Sequence, residues 1–378
     1  MQRKILIAED ENLTAELVAD ILGELGYLVR TAPDGAVALE LFNREDFDLL
    51  VTDIQMPRMN GLDLIKNIRE TPKGKEMAIV VATAYGQAEY AIKAVELGVI
   101  HFLLKPFEVL ELKRTVSHCM EIITLREAKR KMEREKDLDL REAAYVQKTF
   151  MMPEEEAVKI ARDAGLDLAV LYRPYLHTSG DFIWVKKIDS NRAAILLLDV
   201  CGHGTAAAMI GVRLFNFINS MDPAGISPKD FLSLMHRDAL TMMPKGRFVA
   251  CAYAVYDGKE KNITIANGAN PAPMNGLTGE EIPVFGAPLG QRADVRFSET
   301  TIPFPPGARV LLFSDGIVEA QNPPDEMYGE ERLSNLLKDS IDLPIGELKR
   351  EIAADLEIFC EGRRVEDDVT VLILEAGK

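Results

Sequence analysis

Residues 4–10 read Lys4-Ile5-Leu6-Ile7-Ala8-Glu9-Asp10, a continuous apolar run closed by two acids. A run without polar alternation suits a strand buried on both faces, which is the habit of parallel sheets. The pattern recurs outward along the chain. Tyr27 to Thr31, Leu49-Leu50-Val51-Thr52, Ala78 to Ala82 and Phe102-Leu103-Leu104 are further apolar runs, and segments 12–25, 35–44, 61–70, 86–97 and 107–122 carry helical periodicity. Five strand-helix units predict an α/β domain with a doubly wound, five-stranded parallel sheet.

The pattern then changes twice. From Arg126 to Asp137 apolar residues thin out, and Glu127/Lys131, Lys129/Glu133 and Lys131/Glu135 stand four apart, as on an exposed helix. The series Leu112, Val116, Cys119 or Met120, Ile123 leads in and continues as Leu125, Ala128, Met132 at coiled-coil spacing, until Glu135 and Asp139 interrupt it. A homodimer through this helix and a single charged spacer helix both fit that pattern. Beyond it, strand patterns at 168–175, 182–188, 192–199, 248–256, 262–267, 308–313 and 369–374 surround helical ones at 204–221, 228–240, 328–338 and 344–360. This predicts a layered α+β domain. The expected division is 1–122, a helical connector at 123–153, and 154–378, with net charges of −7, +2 and −11.

Composition narrows the function classes. A chain of 378 residues with net charge −16 would be repelled by a phosphate backbone over most of its surface, so neither nucleic acid nor a helix-turn-helix output is expected. No window reaches the roughly 18 apolar residues of a membrane span. Cys119, Cys201, Cys251 and Cys360 have no paired spacing, which argues against a disulfide framework or thiolate zinc and fits a cytoplasmic protein.

Glu9, Asp10, Asp53, Thr83 and Lys105 all end strand patterns, so a parallel sheet gathers them at one edge. Packed carboxylates repel unless a cation intervenes, and oxygen ligands suit magnesium. Such a pocket can accept a phosphoryl group on Asp53, with Lys105 neutralising its oxygens and the Thr83 hydroxyl bonding the product. Farther on, Asp181, Asp199, Asp315 and Asp367 each adjoin a strand and a turn. Carboxylates on rigid strand ends can hold two divalent cations that activate a water for phosphoryl hydrolysis.

Glu9-Asp10, Asp53 with Met56-Pro57 and Asn60-Gly61, Thr83-Ala84 and Lys105-Pro106 make residues 1–122 resemble a response-regulator receiver domain. The resemblance implies a flavodoxin-like fold, phosphorylation of Asp53 by a histidine kinase, and Mg2+ held at Glu9, Asp10, Asp53 and the carbonyl of Gln55. It also implies a switch residue at Phe102, a position that reads equally well as an ordinary core phenylalanine, and a cis peptide before Pro106.

From about residue 143, Gln147 with Met151-Met152-Pro153, Ser179-Gly180-Asp181, Asp199-Val200 through Gly202-His203-Gly204, Gly286-Ala287-Pro288-Leu289-Gly290, Ser314-Asp315-Gly316 with Glu319-Ala320, Tyr328-Gly329 with Arg332-Leu333, and Asp367-Asp368-Val369-Thr370 follow in order. They resemble the stage-II-sporulation type of metal-dependent, PP2C-like protein serine/threonine phosphatase. That family implies an α-β-β-α sandwich and two Mn2+ or Mg2+ ions on Asp181, Asp199, Asp315, Asp367 and the Val200 carbonyl. It also implies a phosphorylated protein substrate, an anti-sigma-factor antagonist, whose dephosphorylation switches partners. Two positions depart from the family pattern: Trp184 stands where a second aspartate is common, and Asn267-Gly268-Ala269-Asn270 where Asn-Ala-Gly-His is common. These departures keep open an alternative, a phosphatase-like adaptor that binds a regulatory protein without turnover. His203 is assigned no metal. Arg173 reads as a surface or capping residue, with contact to a substrate phosphate as the alternative, Trp184 as core or pocket wall, and Met151-Met152 as a buried junction or a soft interaction patch.

Overall fold

The computed structural model describes residues 2–84, 88–175, 177–202 and 204–377, with the backbone alone for residues 84 and 88–91. The chain divides into two compact units, Met1–Glu135 and Lys136–Lys378.

In the first unit β1 (Lys4–Ala8), α1 (Asn12–Glu24), β2 (Leu28–Ala32), α2 (Gly35–Arg44), β3 (Leu49–Asp53), α3 (Gly61–Arg69), β4 (Ala78–Ala84), α4 (Ala88–Glu96) and β5 (His101–Lys105) alternate. The strands form one parallel sheet in the order β2-β1-β3-β4-β5. Both of its faces are covered. Ile5, Ile7 and Val51 pack with Val18 and Leu22 of α1, while Leu6, Leu50 and Val81 pack with Phe42 of α2 and Ile65 of α3. The strand order reverses between β1 and β3, which opens a crevice beyond their carboxyl ends.

Helix α5 runs unbroken from Val109 to Phe150. The sequence pattern runs the helix at 107–122 on into a helical connector, and the backbone is one helix of 42 residues, which no proline or glycine interrupts. Among the described residues no helix is long and apolar enough to cross a membrane.

The second unit continues with α6 (Glu154–Arg162), β6 (Leu166–Arg173), β7 (Asp181–Lys187), β8 (Arg192–Val200), α7 (Thr205–Ser220), α8 (Pro228–Met242), β9 (Val249–Asp257), β10 (Asn262–Gly268), β11 (Met274–Asn275), β12 (Glu299–Pro303), β13 (Arg309–Phe313), α9 (Asp315–Val318), α10 (Gly329–Asp339), α11 (Ile345–Cys360) and β14 (Val369–Ala376). Two sheets, β12-β10-β9-β8-β7 and β11-β13-β14-β6, face each other across a core that includes Ile195, Leu197, Ile265, Leu312 and Leu372. Helices α7 and α8 cover the outer face of the first, and α10 and α11 that of the second. The result is an α-β-β-α sandwich.

The packing of α7 on β7 leaves no slack at Gly211. A Cβ there would lie 1.9 Å from the buried ring of Phe182, which itself leans on Phe215. Alanine favours a helix over glycine by about 1 kcal/mol, but overpacking a closed core costs about 1–3 kcal/mol. Gly211→Ala is therefore expected to lower the urea midpoint without changing the slope of the transition; a raised midpoint would show that Phe182 yields.

Candidate functional site

The crevice of the parallel sheet collects the residues that end its strands. One ligand oxygen each from Glu9, Asp10 and Asp53 falls within 4.8 Å of the others, an acidic cluster able to hold a metal ion. Lys105 Nζ donates to Glu9 Oε1 at 2.9 Å, to Oε2 at 2.6 Å and to Asp53 Oδ2. Burial pushes the Glu9 carboxyl up, and the bonds from Lys105 oppose that push. At Lys105 burial works to lower the pKa, but the bonds to Asp53 and Glu9 outweigh it and raise the ammonium.

The backbone after β3 is shaped around Asp53. Gln55 N donates to Asp53 Oδ1 at 3.1 Å, Gly61 N bonds the Ile54 carbonyl, and Asn60 caps α3 through Asp63 N. A Cβ at Gly61 would stand 2.0 Å from the Asp53 carbonyl oxygen, so only glycine fits there. Thr83 is buried on β4, where Asp53 pairs with the preceding residue, Ala82. Phe102 is half-buried on β5 and packs on the core shared with α2 and α3. The Lys105–Pro106 peptide is cis.

The second acidic group lies where the two sheets of the sandwich meet. Asp181 opens β7 directly opposite Asp199 near the end of β8. Side chains alternate along a strand, so Asp181 shares its face with Val185 of the inter-sheet core, and Phe182 and Trp184 take the other face. Trp184 is core: its Nε1 donates to Asn219 Oδ1 at 2.7 Å and its ring stacks on Phe231. Asp181, 1 % exposed, accepts a hydrogen bond from Thr370 Oγ1 of the opposite sheet.

The neighbouring acids at 367 and 368, just before β14, differ in burial. Asp368 is buried and accepts from Tyr175 N at 2.8 Å and Gly180 N at 2.7 Å, holding the loop before β7. Asp367 is exposed, and its Oδ1 accepts from Asp368 N. Asp315 begins α9 just after Ser314, whose N and Oγ bond across to Thr370. A Cβ on Gly316 would stand 2.0 Å from the Asp368 carbonyl, which explains glycine after Asp315. The Val200 carbonyl lies against Gly180, where a Cβ would approach it to 2.8 Å.

Asp199 and Asp315 are electrostatically coupled neighbours. Burial, and then the charges of Asp315, Asp367 and Asp368, push Asp199 up to about 8. Burial and then Asp199 drive Asp181 well above the carboxylate range, and burial and then Glu319 raise Asp315. Asp181, Asp199 and Asp315 have no ion-pair partner among the described residues. Crowded hard oxygen donors without a built-in cation suit magnesium or manganese. They are less tightly drawn than the receiver trio: among the described residues no three of the four expected aspartates bring ligand oxygens within 4.8 Å.

Other expected positions divide. Asn270 donates through Nδ2 to the Phe313 carbonyl at 2.6 Å, bracing the strand that leads to Asp315. Arg173 pairs with Glu357 at 2.8 Å. Met151 and Met152 pack on the sandwich cores, as a junction would. His203 lies outside the described residues. Sequence reasoning missed the scaffold roles of Thr370 and Asp368, although both stand in the string that includes Asp367. It also missed the reciprocal pair in which Gln147 Nε2 donates to the Ser179 carbonyl at 2.6 Å and Ser179 N donates to Gln147 Oε1 at 3.1 Å.

Comparison with known proteins agrees with both halves. The family model for the response regulator receiver domain matches residues 5–117, and that for stage II sporulation protein E (SpoIIE) matches residues 189–377, half of the chain. Chemotaxis protein CheY-3 of Vibrio cholerae is 37 % identical over 119 residues, 31 % of this chain and 92 % of its own length. The transcriptional regulatory protein CusR of Escherichia coli is 39 % identical over 109 residues, 29 % of this chain and 47 % of its own. The SiaA-PP2C domain of Pseudomonas aeruginosa shares the fold, with a TM-score of 0.55 at 18 % identity, covering 65 % of this chain and 98 % of that one. The chain belongs to the SpoIIE family, and it is a response regulator that joins a receiver domain to an output domain of the PP2C-like phosphatase family.

Proposed function

We propose that this response regulator, acting in the cytoplasm, dephosphorylates phosphoserine or phosphothreonine on a protein, and that phosphorylation of Asp53 controls the activity. We assign residues 1–122 to the receiver, 123–153 to the connector and 154–378 to the phosphatase. The observation that carries the reading is the pairing of Asp181 with Asp199 across β7 and β8, beside Asp315 and with Asp367 close enough to raise Asp199.

Asp181, Asp199, Asp315, Asp367 and the Val200 carbonyl would hold two Mn2+ or Mg2+ ions. Bound there, the ions would supply a hydroxide at neutral pH and charge to balance the phosphoryl oxygens. The chain's own part is to fix that geometry. Thr370 orients Asp181, Asp368 ties down the loop before it, and glycines at 180 and 316 let backbone carbonyls approach. The substrate we propose is an anti-sigma-factor antagonist that changes partner when its phosphate is removed.

In the receiver, Mg2+ would sit among Glu9, Asp10, Asp53 and the Gln55 carbonyl. Asp53 would attack the phosphorus of a kinase phosphohistidine, forming an O–P bond as the N–P bond breaks. The new group adds about two negative charges next to Lys105, Thr83 and Phe102. Helix α5 begins four residues after Lys105 and carries Gln147, which is bonded to the loop leading into Asp181, so it supports a route for the signal.

Manganese-dependent hydrolysis of an aryl phosphate tests the enzyme. Asp199→Ala should lower turnover about 100-fold or more, and chelation should abolish it in the parent. Absence of metal-dependent turnover on any phosphosubstrate would instead favour the binding-only adaptor.

The regulatory step has its own measurement. With acetyl phosphate, phosphatase activity should change by about 5- to 150-fold, equivalent to a coupling of about 1–3 kcal/mol. Asp53→Asn should remove the change; a response that survives in this variant rules out Asp53 as the input.

Leu125 and Met132, 63 % and 65 % exposed at heptad spacing on α5, support a homodimer through that helix. Sedimentation should show a dimer in the parent and a monomer in Leu125→Glu/Met132→Glu. A dimer that persists in the double variant places the contact elsewhere.

A further inference from the structure

The segment Arg363-Arg364-Val365-Glu366-Asp367 leads into β14 and lines two clefts, of 290 Å³ and 190 Å³, that both reach Asp367. Its two arginines are held in different ways. Arg363 is committed to the fold: it donates to the Asn322 carbonyl and to Gln321 Oε1, and it pairs with Asp325. Arg364 is exposed. One Nη donates to the Tyr175 carbonyl, and the guanidinium lies over the Tyr175 ring with Cζ 4.9 Å from its centre. Among the described residues Arg364 has no carboxylate partner, although residues 154–378 carry a net charge of −11 and Glu357, Glu366 and Asp367 line the same clefts.

An arginine offers five N–H donors in a planar fork, and the Tyr175 carbonyl takes one direction of that fork. Tyr175 N is bonded to Asp368 Oδ1 at 2.8 Å, so the residue next to Asp367 anchors the backbone of the tyrosine on which Arg364 rests. Stacking orients the guanidinium plane before any ligand arrives, which reduces the rotamer freedom lost on binding. A pre-set fork without a counter-ion, on clefts shared with the acidic centre, is suited to a bidentate oxyanion.

We propose that Arg364 binds an oxyanion of the phosphoprotein substrate, the phosphoryl oxygens or a carboxylate flanking the phosphoserine, and is thereby a specificity-determining residue. This rests on the phosphatase reading above. Its role is recognition.

The test is equilibrium binding to the full chain, which needs no turnover. Two fluorescein-labelled phosphoserine peptides serve as probes, one with aspartates beside the phosphoserine and one with alanines in their place. Arg364→Ala should weaken binding about tenfold or more, and Arg364→Lys should recover only part of it. A loss on both peptides identifies the phosphoryl group as the ligand; a loss confined to the aspartate peptide identifies the flanking carboxylate. Affinities within twofold of the parent on both peptides, or a parent that binds neither, overturn the proposal. Aryl phosphate hydrolysis by the parent, measured alongside, reports on the phosphatase reading separately.

Discussion

A hydrogen bond between the Thr370 hydroxyl and the Asp181 carboxylate joins the two sheets of the sandwich at the point where the acidic residues converge. Asp181 belongs to one sheet and Thr370 to the other, and neither has room to turn away. Around that contact the backbone is closed by Asp368, which takes the N–H groups of Tyr175 and Gly180, and by Ser314, bonded to Thr370. The spacing of Asp199, Asp315 and Asp367 about the seam follows from this closure. A buried acceptor left without its donor costs about 1–3 kcal/mol, so the seam is also a stability element.

The two acidic sites solve one electrostatic problem in opposite ways. In the receiver, Lys105 already stands between Glu9 and Asp53, so part of the repulsion is met by a covalently attached cation. In the sandwich, among the described residues, Asp181, Asp199 and Asp315 have only one another and hydrogen-bond donors. Burial first, and then the neighbouring acids Asp315, Asp367 and Asp368, raise Asp199 to about 8. The first site carries its own ammonium among its carboxylates; in the second, among the described residues, the carboxylates are met by hydrogen-bond donors alone.

Much of this was legible in the sequence, for physical reasons that differ by region. Strands β1, β3 and β4 are buried on both faces and so read as uninterrupted apolar runs. Helix α6 escaped notice because it starts with three glutamates and buries only Ala157 and Ala161. Strand β12, Glu299–Pro303, escaped because an edge strand with a single isoleucine lacks alternation strong enough to register. The acidic residues at strand ends were recognisable from position, but what holds them was not: Thr370 and Asp368 are separated from Asp181 by more than 180 residues, and only folding makes them neighbours. The apparent departure at Trp184 resolves through strand parity, since that side chain lies on the face of β7 away from Asp181.

The paired acids at the start of β14 carry a lesson for experiment. Of two chemically identical neighbours, one is buried and bonded into the loop before β7 and the other is exposed. A substitution at position 368 would release the loop along with the charge it removes, whereas one at position 367 removes the same charge and leaves that anchor in place.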